Sequence, residues 1–120
     1  MAIPVPAPIK AQSRAHDLKE RLDWGEPALT IIDVRDRSAF HTSHISGAIS
    51  FPMSELVDSA LTSLEVIRDI YVYSFTDEET AEAAAKLRAA GYQNVSELRG
   101  GLAAWKATGC PIEGNSAVVA

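Results

Sequence analysis

The chain has 120 residues and a mass of 12.9 kDa, with 47% apolar and 22% charged residues, which fits one packed globular unit and excludes two full domains or a collagen-like, disordered or coiled-coil composition. Eleven basic against 16 acidic residues give a net charge of −5 and a pI near 5.1, so no broad positive field exists to neutralise phosphates, which argues against nucleic acid as a partner. The single cysteine, Cys110, cannot close an intrachain disulfide, and no apolar run reaches the roughly 18 residues of a membrane helix, so the sequence reads as soluble and cytoplasmic with no membrane partner.

Residues 1–12 alternate Pro4, Pro6 and Pro8 with small apolar residues, which predicts an extended polyproline-like arm with no strand ladder of its own. Residues 13–113 then read as the folded domain, and residues 114–120 as a tail too short to form an element. Ser13 is placed to cap a helix over residues 13–24, with Ala15, Leu18 and Leu22 on one face and Gly25 and Pro27 as its stop. The run "LTIIDV" (29–34) is short, apolar and β-branched, as expected of a strand buried on both sides. Asp33 and Arg35 stand at its end, and a helical turn through Phe40 follows. "GAISFP" is a second short strand closed by Pro52, after which Ser54 is placed to cap "ELVDSALTSL".

"DIYVYS" (69–74) is continuous in its apolarity and reads as a central strand. In the next segment Thr76 and Glu79 have the spacing of a capping box, Ala83, Ala84, Leu87 and Ala90 form an apolar stripe, and Gly91 supplies the stop. "NVSEL" is a further strand, and "RGGLAAWKAT" a turn and a helix ended by Gly109 and Pro111. Strands alternating with helices at this spacing predict an α/β fold: a central parallel sheet with helices on both faces.

Four stretches, "IIDVR" at 31–35, "FHTSHISGAISFP" at 40–52, "IYVYS" at 70–74 and "GYQNVSELRGGLAAWKATGCPI" at 91–112, together resemble the rhodanese-like domain. The resemblance implies a three-layer sandwich around a parallel sheet of about five strands. It also implies the chemistry of the active members, which move a sulfane sulfur through a cysteine persulfide. In those members the strand matching "IYVYS" ends in the nucleophilic cysteine, and the loop after it curls so that backbone N–H groups and a helix N-terminus converge on one point, a concavity that favours anions and acidifies a thiol. Here that position is Ser74. The loop reads Ser74, Phe75, Thr76, Asp77, Glu78, Glu79, Thr80, and the position matching the family's loop arginine is Glu79. A serine hydroxyl cannot become a persulfide, and carboxylates at the helix start repel an anionic donor. The implied protein is a catalytically inactive rhodanese-like domain that serves as a binding or regulatory module for a protein partner, with no cofactor and no metal. The alternative is a thiosulfate or sulfane sulfurtransferase that carries sulfur on Cys110 or on an external thiol.

Simpler roles stand beside these. Ser74 can hydrogen-bond its loop. Asp33 and Arg35 can form an ion pair, His41 and His44 can serve structural hydrogen bonding, and Gly100 with Gly101 can make a tight turn beneath a packed Trp105. Cys110 can be a small half-buried hydrophobe, and Asp77, Glu78 and Glu79 can be ordinary first-turn acids.

Overall fold

In the computed structural model, residues 9–23 and 29–114 are described. The elements along the chain are β1 (Gln12–Ser13), α1 (Ala15–Asp23), β2 (Leu29–Asp33), α2 (Arg37–Thr42), β3 (His44–Ile45) and β4 (Ile49–Ser50). A 3₁₀ turn (Met53–Glu55) leads into α3 (Leu56–Ser63), followed by β5 (Asp69–Tyr73), α4 (Asp77–Ala89), β6 (Asn94–Leu98), α5 (Gly101–Ala107) and β7 (Ile112–Glu113). The apolar runs predicted as central strands are central: the five-stranded sheet has the order β1-β6-β5-β2-β4, and every neighbouring pair is parallel. β3 and β7 form a separate antiparallel ribbon.

Alternation along the strands sorts the core into two clusters. Ile32, Ile70, Val72 and Val95 face α3 and α4, meeting Leu56, Ala60, Ala83, Ala84 and Leu87. Ile31, Tyr71, Tyr73 and Leu98 face the other way and meet Ala15 and Leu18 of α1 and Trp105 of α5. Two apolar faces on one sheet require two helical layers, which is the predicted three-layer α/β sandwich. Among the described residues no helix is long and apolar enough to cross a membrane.

Several local expectations need correction. Ser13 does not cap a helix. It is the second residue of β1, pairs in register with Leu98, and shares a hydrogen bond between its hydroxyl and that of Ser96. The ladder reaches back into the stretch predicted as an arm, since the Glu97 N–H donates to the Ala11 carbonyl at 2.9 Å. α1 therefore starts at Ala15. Ala15 and Leu18 are buried as predicted, but Leu22 is 39% exposed. The proposed stop at Gly25 and Pro27 lies outside the described residues, as do residues 1–8 of the arm and 115–120 of the tail. Ser54 sits inside the 3₁₀ turn, and α3 begins at Leu56 without a side-chain cap. The β3–β7 ribbon was not anticipated, because two-residue strands carry no readable period.

An ion-pair chain crosses the α4 face of the sheet. Glu97, 7% exposed, lies between Arg88 Nη1 at 3.5 Å and Arg99 Nη1 at 3.6 Å, and Arg99 Nε reaches Asp77 at 3.4 Å. Arg88 Nη2 also donates to the carbonyls of Val95 (2.9 Å) and Ala11 (3.2 Å).

Candidate functional site at the carboxyl ends of β2 and β5

After β2 the chain turns to α2, whose Phe40 packs with the α1/α5 cluster, whereas after β5 it turns to α4 on the opposite face. Neighbouring parallel strands whose exits diverge in this way leave a crevice between their carboxyl ends, the place where open α/β sheets put their functional groups. The crevice brings together Asp33, Arg35, Tyr73, Ser74 and Phe75.

Asp33 is fully buried and Arg35 is 7% exposed. They form the predicted ion pair with fork geometry: Arg35 Nε donates to Asp33 Oδ1 at 3.0 Å and Nη2 to Oδ2 at 2.6 Å. The Arg35 backbone N–H adds a third bond to Oδ1 at 2.9 Å, and Nη2 reaches the Ser43 carbonyl at 2.7 Å. Burial works against the guanidinium charge, but the hydrogen bonds to Asp33 and its carboxylate charge outweigh it and hold the Arg35 pKa above its ordinary value. The same guanidinium lies 5.7 Å from the Tyr73 ring centroid and 5.2 Å from that of Phe75. Tyr73 is itself buried, and its hydroxyl accepts the Ile45 N–H at 3.1 Å, tying the crevice floor to β3. Burial, and then the Asp33 carboxylate, push the Tyr73 phenol well above its ordinary pKa.

Ser74 follows β5 directly and is 6% exposed. Its backbone N–H is what bonds the loop, donating to Thr80 Oγ1 at 2.9 Å, while the Thr80 hydroxyl donates onward to the Thr76 carbonyl at 3.0 Å. Thr76 is the N-cap of α4, as predicted: its Oγ1 accepts the Glu79 N–H at 3.1 Å. Glu79 answers through the Thr76 hydroxyl, which donates to Oε1 at 3.2 Å, a side-chain variant of the capping box.

The three acids of this first turn are not equivalent. Asp77 accepts the Gly100 N–H at 2.9 Å and pairs with Arg99, so its charge latches α4 to the turn after β6. Glu79 is used by the cap, and Glu78 stands exposed beside it. Behind the loop, Gly100 and Gly101 both take positive φ (+84° and +53°), the tight turn expected of them. A Cβ on Gly101 would come within 2.9 Å of the Ser74 carbonyl, so the turn backs directly onto the loop. Phe75 is 63% exposed and rests on the Arg35 guanidinium at the lip of the crevice.

The remaining sequence candidates lie elsewhere. Cys110 follows α5, is 7% exposed within the α1/α5 cluster, and its sulfur is 3.1 Å from the Thr108 hydroxyl. His44 stacks on Phe40 at 3.7 Å and has Nδ1 2.8 Å from the Phe40 carbonyl; His41 meets the same ring edge-on. Arg99 was missed by the sequence reading. Its partner Asp77 is distant in sequence, and only the adjacency of β5 and β6 brings the two together.

Residues 14–108 match the Rhodanese-like domain. A protein called Sulfurtransferase from Allochromatium vinosum is 31% identical over 98 residues, covering 82% of this chain and 90% of that protein. The uncharacterized protein slr1261 from Synechocystis is 35% identical over 86 residues, 72% of this chain, and the chain spans about half (48%) of its length. Among solved structures, the Alr3790 protein from Anabaena sp. is 61% identical with a TM-score of 0.83, covering 85% of this chain and 91% of that one. With the parallel sheet, the two helical layers and the loop after β5 in place, the chain belongs to the rhodanese-like domain family.

Proposed function

We propose that this chain is a catalytically inactive rhodanese-like domain, a binding or regulatory module for a protein partner that it contacts through the Ser74–Thr80 loop and its rim. The carrying observation is the serine itself. Ser74 stands at the carboxyl end of β5, where the family resemblance puts the persulfide-forming cysteine. A hydroxyl cannot hold sulfane sulfur. The chain's one cysteine, Cys110, is packed in the α1/α5 cluster beside Thr108. Phe75 supports the binding role, because an exposed aromatic braced on a buried guanidinium is preorganised and loses little conformational freedom on contact.

The test is thiosulfate:cyanide sulfur transfer together with the intact mass after incubation with a sulfane donor. The expected result is no turnover above buffer and no added sulfur. Turnover that survives Cys110→Ala would overturn the reading. Sulfur found on Cys110 would favour the second reading, a sulfane sulfurtransferase, to which the name of the Allochromatium relative lends support. Ser74→Cys alone should give little or no turnover, since Glu78 and Glu79 oppose both an anionic donor and a thiolate. Adding Glu79→Arg should bring the new thiol's pKa, read from alkylation rate against pH, below that of the single variant.

A further inference from the structure

A cleft of about 830 Å³ opens beside the Ser74 crevice, at the carboxyl ends of β1 and β6 between the start of α1 and α5. This volume falls in the range of small-molecule sites. Its floor is Ser13, Ala15, Gly100 and Ala104, all small. A Cβ on Gly100 would meet that of Ala104 at 2.6 Å, so the floor stays flat. The walls carry Lys10, Arg14, His16 and Arg99 with only Asp17 and Asp77 against them. Three fixed cations thus face two carboxylates on a chain whose net charge is −5.

The pairing within the cleft is uneven. Asp17 is shared by Lys10 Nζ at 3.1 Å and His16 Nε2 at 3.4 Å, and Arg99 is held by Asp77 and Glu97. The Arg14 guanidinium has no hydrogen-bond or ion-pair partner among the described residues. Ser13 pairs with Leu98, and the Arg99 N–H donates to the Ser13 carbonyl at 2.9 Å. Arg14 and Arg99 are therefore the first residues beyond two neighbouring strands, whose backbones run about 4.8 Å apart. Arg99 is already paired with carboxylates, whereas the Arg14 guanidinium has no ion-pair partner among the described residues, so an anion entering the cleft meets one unneutralised guanidinium with a second at the neighbouring strand end. Guanidinium groups engage phosphoryl oxygens two at a time, which makes a pair of arginines a better match for a diphosphate than for a single small anion.

We propose that this cleft is a binding site for a diphosphate-bearing small molecule, gripped between Arg14 and Arg99. It shares Asp77 with the loop after β5 but does not rest on the reading of the Ser74 crevice.

Calorimetric titration of the full chain at low ionic strength tests this with pyrophosphate, ADP and orthophosphate as probes. Pyrophosphate is expected to bind one to one and at least tenfold more tightly than orthophosphate. Arg14→Gln should weaken it at least tenfold with an unchanged melting temperature, because that side chain has no hydrogen-bond or ion-pair partner among the described residues. Arg37→Gln, which removes the same charge from a site paired with Glu55 outside the cleft, should leave binding within twofold. ADP binding comparable to pyrophosphate would identify an organic diphosphate as the ligand, and binding of pyrophosphate alone would identify the inorganic ion; both sustain the site. Absence of saturable binding, equal weakening by Arg14→Gln and Arg37→Gln, or orthophosphate binding as tightly as pyrophosphate would overturn it.

Discussion

Arg35 shows how much a single side chain can hold. It compensates a carboxylate that sees no solvent, accepts aromatic faces from Tyr73 and Phe75, and reaches the Ser43 carbonyl. Arg35→Ala would leave Asp33 buried and uncompensated, so urea unfolding should show a loss of about 3–5 kcal/mol. Arg37→Ala, which removes an exposed partner of Glu55, should leave the midpoint nearly unmoved. Tyr73 supplies a pH signature. A phenol whose folded pKa is raised stabilises the fold fully below the unfolded value of about 10, and that contribution is lost as pH rises further, because the unfolded chain gives up its proton first. Stability should therefore fall above about pH 10, and Tyr73→Phe should flatten that slope. At neutral pH the same change should cost about 1–3 kcal/mol, since the Ile45 N–H loses its acceptor. The Asp33–Arg35 pair was legible because two residues at the end of one strand must lie close together. The Asp77–Arg99 pair was not, because it depends on which strands become neighbours.

For the elements, capping chemistry read well where it acted alone and poorly where a ladder competed. Thr76 has only α4 to serve, and Thr76→Ala should cost about 0.5–2 kcal/mol without changing the denaturant slope. Ser13 has equally good capping chemistry, but β6 offers it a parallel partner and Ser96 a hydroxyl, and the sheet prevails. The long helix α4 was visible from its capping box, apolar stripe and glycine stop, β2 and β5 from their continuous apolar runs, and β6 from its place between α4 and the next turn. The two-residue strands β1, β3 and β7 were not, because only a neighbour defines them. The turn after β6 makes a sharper prediction. Gly101→Ala places a methyl group 2.9 Å from the Ser74 carbonyl at a backbone φ of +53°, so it should destabilise by more than about 1 kcal/mol and displace the Ser74 amide resonance.

Across the whole molecule, the sheet grades from a core of three five-residue strands to edges of two residues each. Amide hydrogen exchange should follow that grading. The N–H groups of β2, β5 and β6 should be the slowest, exchanging only through global unfolding, and those of β1, β4 and the β3–β7 ribbon should exchange faster through local opening. Uniform protection across all seven strands of the described residues would mean that the edges and the ribbon open only with the core. This hierarchy bears on both sites, since the Ser74 crevice lies at the ends of two of the three inner strands, β2 and β5, whereas the cationic cleft takes one wall from the β1 edge.

The uneven edge also explains a job for Arg88. β6 runs five residues but β1 covers only two of them, so the carbonyl of Val95 lies beyond the reach of its neighbour strand. Arg88 occupies that opening, its Nη2 bridging the Val95 and Ala11 carbonyls from the side of α4. The guanidinium thus acts as a doorstop against strand invasion, denying a second extended chain the acceptors it would need to dock there. Arg88→Ala should leave the fold intact yet make it sticky, with light scattering that climbs with protein concentration under conditions where the parent chain stays clear.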